Sequence, residues 1–193
     1  MTRAPGGPDP LELAEAALGF CTGPAQVTVT REHWLVSRFA RSAPTQATDV
    51  DDTEVAMLAW HDGHTASAAT NRSDDGALRE TAGRARAAAE AAAASAGTAG
   101  EHPGLPEPAP SVPATNGFDP ATASVDPETA GTALATTFAV TAEAGLEAFG
   151  IWTAGAVTTA IATTTGIRVS ETLSDAHLKV VARNAAGRSG WAT

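Results

Sequence analysis

Thr53-Glu54-Val55-Ala56-Met57-Leu58-Ala59-Trp60, His61-Asp62-Gly63-His64 and Thr65-Ala66-Ser67-Ala68-Ala69-Thr70 follow one another without a break. In the first block Val55, Met57 and Ala59 alternate with Ala56, Leu58 and Trp60, a period of two that places them on opposite faces of a strand. Both faces are apolar, which predicts an interior strand covered on both sides. Asp62-Gly63 then stands between two strand patterns. A two-residue type I′ turn needs positive φ at both central positions, and Asp-Gly meets that need at low cost. The stretch therefore predicts an antiparallel hairpin.

Upstream, Leu11, Leu13, Ala14, Ala17 and Leu18 fall at helical spacing before Gly19. From Ala25 the period becomes two. Val27 and Val29, then Trp34, Val36 and Arg38, predict two strands joined by a tight turn near Arg31 to His33. A shorter strand is expected over Gln46 to Val50. Downstream, Ser73 to Gly97 reads as a helix with Ser73, Asp74 and Asp75 at its start. Its buried face is Leu78, Ala82, Ala85 and Ala89, and Glu80 precedes Arg84 at i,i+4. The prolines between Glu101 and Pro127 exclude a long helix or a central strand. Beyond them Asp126-Pro127 starts a helix with Leu134, Phe138 and Ala142 as its apolar stripe and Gly145 as its stop. Phe149 to Thr163 reads as a strand. Turns at Thr165-Gly166 and Ser174-Asp175 would frame strands Ile167 to Leu173 and His177 to Ala182. The sum is an α+β fold: antiparallel strands with packed helices in two lobes, 1–100 and 126–193, joined by a Pro-rich crossover at 101–125.

Twenty-two acidic against 12 basic residues give a formal charge of −10, with Lys179 as the only lysine. That field repels phosphate backbones, so no nucleic-acid partner is expected. No apolar run approaches the roughly 18 residues a bilayer span needs, so no membrane association is expected. One cysteine, Cys21, excludes an internal disulfide framework and fits a reducing, cytoplasmic setting. The segment Met1 to Pro10 lacks the apolar core of a secretory signal.

Candidate chemistry is sparse. His61 and His64 bracket the Asp62-Gly63 turn, yet two ligands make neither a structural nor a catalytic zinc site. Asp49, Asp51, Asp52 and Glu54 form an acidic patch without the glycine and terminal glutamate of a calcium loop, and read as a solvated strand connection. Cys21 has no sequence-adjacent base and reads as a structural thiol. No nucleophile elbow, phosphate loop or His-Glu-x-x-His occurs. The expectation is no catalytic residue, no metal ligand and no cofactor in this chain.

Several signatures nevertheless occur in a definite order. They are Ser37-Arg38-Phe39-Ala40, the acidic stretch before Thr53-Glu54-Val55-Ala56, Asp62-Gly63 and Ala69-Thr70-Asn71. The Ala-rich helix follows, then Pro103-Gly104-Leu105-Pro106, Phe118-Asp119-Pro120 and Ser189-Gly190-Trp191-Ala192. The series resembles the N-terminal half of the TldD/PmbA family of metallopeptidases, from about Leu11 to Thr193. The resemblance implies an α+β N-terminal domain followed by a β-rich domain that carries a His-Glu-x-x-x-His helix and a later cysteine for zinc. It also implies pairing with a homologous TldD/PmbA-type subunit around a chamber that admits unfolded or extended peptides. Zinc is then expected outside these residues, in a C-terminal half or the partner subunit, and the chain reads as a truncated or naturally short N-terminal module. Edge strands can accept an extended peptide through backbone hydrogen bonds. The small-sided stretch Thr153 to Thr165 is the expected place, with Arg38, Phe39, Thr153, Thr163 and Thr164 as candidate peptide or subunit contacts. Strand packing is the competing role for Arg38 and Phe39. The other functional reading is a stand-alone binding or scaffold protein that keeps the fold without peptidase work.

Overall fold

The computed structural model describes residues 7–95, 102–109, 113 and 115–193. Its elements are α1 (Pro10–Leu18), β1 (Ala25–Ala40), β2 (Ala43–His61), β3 (His64–Thr70), α2 (Asp75–Ser95), α3 (Pro120–Ala123), α4 (Pro127–Glu143), β4 (Glu147–Thr163), β5 (Arg168–Arg183) and β6 (Ser189–Ala192). The strands form one antiparallel sheet in the order β3-β2-β1-β4-β5-β6. The α+β class expected from the sequence is the one observed. Two compact units divide the chain. The first takes Met1–Arg31, Asp52–Asn116 and Thr158–Thr172; the second takes Glu32–Asp51, Gly117–Val157 and Leu173–Thr193.

In the first unit the β2–β3 hairpin forms as expected. Asp62 and Gly63 have φ of 44° and 76°, and the register pairs His61 with His64 and Val55 with Thr70. Val55, Met57 and Ala59 are buried, whereas Ala56, Leu58 and Trp60 are only half-buried. One face of this part of β2 therefore carries the core and the other is only partly covered, which qualifies the expectation of cover on both sides, while β2 is interior to the sheet as expected. That core joins Val27 and Val29 of β1, Ala160 and Ala162 of β4, Leu13, Ala14, Ala17 and Leu18 of α1, and Leu78, Ala82, Ala85 and Ala89 of α2. Alanine at most helix contact positions lets backbones approach closely, and its high helix propensity supports α2. Asp9 caps α1 by accepting from the N–H groups of Leu11 (2.8 Å) and Glu12 (3.2 Å). Asp74 accepts from Ala77 N–H at the start of α2. The expected end of α2, at Gly97, lies outside the described residues. Arg84 donates to Ala69 O and Thr81 Oγ1 instead of pairing with Glu80, and the i,i+4 ion pair of the helix is Arg86–Glu90 at 2.6 Å.

In the second unit α4 packs Ala130 and Leu134 against Leu35 and Phe39 of β1 and Ala148, Trp152 and Ala154 of β4. Phe39 meets Phe138 edge-on at 5.4 Å between ring centroids. Thr141, not the expected Ala142, completes the buried side of the helix. Its hydroxyl returns a hydrogen bond to Thr137 O at 3.0 Å, so burial leaves no polar group unpaired. The helix ends in a Schellman arrangement, with Leu146 N–H bonded to Thr141 O and Gly145 N–H to Ala142 O, both at 2.9 Å. Gly145 takes the left-handed position, φ 66°.

Three strand expectations change. β1 runs unbroken through Arg31 to His33, and its turn lies at Arg41 and Ser42, with φ of 51° and 54°. Those two non-glycine residues are held by tertiary bonds: Ser42 N–H donates to Ala148 O (2.9 Å) and Ser42 Oγ accepts from Ala148 N–H (3.0 Å). The separate strand at Gln46 to Val50 and the acidic connection after it are parts of one strand, β2. The Ser174-Asp175 turn is likewise absent, because β5 continues to Arg183. Ser174 is used by the preceding segment instead: its N–H donates to Gly117 O (3.0 Å) and its Oγ accepts from Asp119 N–H (2.7 Å).

Asp126 caps α4 by accepting from Thr129 N–H at 2.8 Å, and that bond holds its carboxyl below the usual carboxylate range. A lowered folded value means that the stabilisation is complete above the unfolded value and is lost as pH falls through the folded one. Asp126→Asn keeps an acceptor but removes the titration. Between about pH 5 and about pH 2 the variant is expected to lose less melting temperature than the wild type. Identical acid limbs for the two proteins would show that this cap contributes nothing to acid stability.

Candidate functional site

The residues expected to touch a peptide or a partner fall in different settings. In the second unit, Arg38 is exposed on β1, Phe39 is 3% exposed, and Thr153 is half-buried on β4. In the first unit, Thr163 is fully buried and Thr164 is exposed at the turn between β4 and β5. The threonine hydroxyls here serve the fold. Thr163 Oγ1 accepts from Ile167 N–H (3.0 Å) and pairs with Thr165 Oγ1 (2.8 Å), while Thr164 Oγ1 accepts from Ala25 N–H (3.0 Å). Thr165 donates to Pro106 O at 2.7 Å.

β4 is an interior strand, bonded to β1 and β5, and this overturns the idea that Thr153 to Thr165 offers an edge to a peptide. The sheet edges are β3 and β6. β3 pairs only with Val55–His61, so the earlier part of β2 has no β3 partner. Pro44 sits in that stretch, where a residue without an N–H is tolerated. In the second unit this free stretch is Ala43–Asp51, largely exposed. Asp49 there accepts from His33 Nε2 at 2.8 Å. The short β6 is exposed throughout; Trp191 is 70% exposed, with Lys179 Nζ 5.9 Å from its ring centroid.

The donor set does not fit zinc. His61 Nδ1 faces Arg86 at 2.9 Å, a cationic donor that uses the lone pair a metal would need. His64 Nδ1 donates to Asp62 O at 2.7 Å, which leaves a lone pair on Nε2 but gives only one such histidine here. Among the described residues no three His, Cys, Asp or Glu side chains gather as a metal would require. Burial pushes the Cys21 thiol up, and its Sγ lies 3.8 Å from Ala17 O, the setting of an inert thiol. Among the described residues no helix is long and apolar enough to cross a membrane.

Solved structures share this fold. TldE from Thermococcus kodakarensis superposes with a TM-score of 0.69 at 12% identity, over 93% of this chain and 41% of that one. The fold resembles that of TldD/PmbA proteins. Two crystal structures described as candidate modulators of DNA gyrase agree with it. The one from Thermotoga maritima gives a TM-score of 0.67 at 14% identity, over 87% of this chain and 38% of that one. The one from Bacteroides thetaiotaomicron gives 0.66 at 14% identity, over 94% and 43%. The chain thus spans about two fifths of the length of these TldD/PmbA-like structures. No protein-family model and no curated protein matches the sequence.

One strand and one helix escaped the sequence reading. β6 is announced only by the turn before it, where Asn184 Oδ1 accepts from Arg188 N–H and Asn184 O from Gly187 N–H. α3 begins at Asp119-Pro120, the same cap-and-proline pair that starts α4, with Asp119 accepting from Thr122 N–H at 2.8 Å.

Proposed function

We propose that this chain acts as the non-catalytic N-terminal module of a TldD/PmbA-type metallopeptidase assembly in the cytoplasm. It pairs with a homologous subunit and admits unfolded peptides, and proteolysis takes place at a zinc site outside these residues. The supporting observation is the fold likeness over 87–94% of the chain to proteins more than twice as long. A second support is the free stretch of β2, whose backbone N–H and C=O groups suit sequence-tolerant strand addition. The open edge moves the peptide route from β4 to β2, leaving Arg38 and Thr153 as surface candidates. Phe39 and Thr163 act by shaping the strands that carry them.

Co-expression with a subunit that bears a His-Glu-x-x-x-His helix tests the reading. The expected result is a stable complex whose hydrolysis of an unfolded peptide exceeds that of the partner alone. A chain that elutes alone and leaves the partner's rate unchanged would transfer the fold to the stand-alone scaffold reading.

A further inference from the structure

In the second unit the sheet ends in two unpaired edges of opposite charge. Strand order leaves β6 free on one side, and Ala43–Asp51 of β2 is free on the other, since β3 pairs only with Val55–His61. β6 is the basic edge. From Ala176 to Thr193 the chain carries Lys179, Arg183 and Arg188 and none of its 22 acidic residues, in a protein of formal charge −10. The register sets Val181 opposite Trp191 and Arg183 opposite Ser189, so the period of two puts Lys179, Arg183 and Trp191 on one face. Lys179 Nζ comes to 5.9 Å from the Trp191 ring centroid, and Arg183 Nη2 stands 3.6 Å from where a Cβ on Gly187 would be. Both cations thus reach toward β6 or the turn that leads into it. Among the described residues none of the three cations has a carboxylate within 4.0 Å.

The β2 edge is the acidic one. Asp49 and Asp51 are exposed and, two residues apart, share a face. Among the described residues neither pairs with a lysine or arginine, and His33 is the partner of Asp49. Beyond Pro44, alternate residues of Thr45–Asp51 turn their N–H and C=O groups away from β1, toward an empty strand position. Charge decides which strand each edge accepts. Two β6 edges repel each other, and so do two β2 edges, whereas β6 of one molecule and β2 of another attract. Strand addition between unlike edges satisfies the free backbone groups of both. It also gives the exposed Trp191 ring a neighbouring strand to cover it.

We propose that this chain associates head to tail with a second copy of itself, the β6 edge of one molecule adding to the Thr45–Asp51 stretch of the next. The contact is heterologous, so each dimer keeps one basic and one acidic edge open and grows further unless the rotation closes a ring. Such self-association does not depend on the peptidase reading, and a copy seated on β2 covers the edge given there to peptide. Sedimentation equilibrium of the full chain is expected to show an average mass that climbs above 19.4 kDa as concentration rises. Two charge-reversed proteins test the pairing. Lys179→Glu with Arg183→Glu turns the basic edge acidic, and Asp49→Lys with Asp51→Lys turns the acidic edge basic. Each alone is expected to self-associate about tenfold more weakly than the wild type, because its two edges now share a sign. Their equimolar mixture is expected to associate again, because each meets an edge of opposite sign in the other. A wild type that stays monomeric at every concentration overturns the proposal. So does self-association that persists in both reversed proteins, or a mixture that associates no better than its components. Should a reversed protein not fold, a peptide copying Thr45–Asp51 decides the matter. It must disperse wild-type assemblies, and the same peptide with lysine at both aspartate positions must not; any other result overturns the proposal.

Discussion

Phe39→Ala is expected to cost about 3–5 kcal/mol of stability, the usual range for emptying a large aromatic site in a core. The ring is 3% exposed, meets Phe138 edge-on, and reaches within 2.8 Å of where a Cβ on Gly150 would stand. Deleting it removes apolar area, an aromatic pair and the filling of the space Gly150 leaves. In a chain of this size the melting temperature should fall by roughly 6–20 °C. The same substitution discriminates between the two roles raised for Phe39. A side chain that only met peptide at the surface would change stability by no more than about 0.5 kcal/mol. Urea unfolding monitored by circular dichroism reads the difference, and a change that small would remove Phe39 from the core.

Gly155→Ala is the second large effect, and its sign runs against ordinary propensity. Alanine usually gains about 0.5–1 kcal/mol over glycine inside a regular element. Here a Cβ would press into His33 O and come within 2.9 Å of the Trp34 Cα and Cε3 atoms, on the adjacent strand β1. Backbone cannot rotate away as a flexible side chain can, so the loss should be about 3 kcal/mol or more. Gly131→Ala provides the matched control. Nothing lies within 4 Å of its added Cβ, on the exposed side of α4, and a gain of about 0.5–1 kcal/mol is expected. Equal and small effects at the two sites would mean that β1 and β4 do not approach closely at Gly155.

How much of this was legible depends on whether a feature is local. Asp62-Gly63, Asp126-Pro127 and Gly145 announce their turn, cap and stop because the residue itself supplies the needed φ or acceptor. The Leu78, Ala82, Ala85 and Ala89 stripe is legible for the same reason, since its period is a property of the helix. The Arg41-Ser42 turn was not, because neither residue favours positive φ and the bonds from Ser42 to Ala148 lie far along the chain. Ser174-Asp175 misled in the opposite direction. Ser174 is occupied by Gly117 and Asp119, contacts that no local pattern carries. The candidate contacts were less legible still. Small side chains suggested an open edge at β4, but strand order, which decides the edge, is set by long-range pairing.

Four strands, β1, β2, β4 and β5, each contribute residues to both compact units. Neither unit is a contiguous stretch of polypeptide, so no single cut releases one as a cassette. A gene fragment ending inside the Pro-rich segment would carry away pieces of each and complete neither. Shuffling, tagging or splitting the protein therefore has to respect the strands, and the turns at 41–42, 62–63, 164–167 and 184–188 are among the places where a chain break or an insertion interrupts none of them.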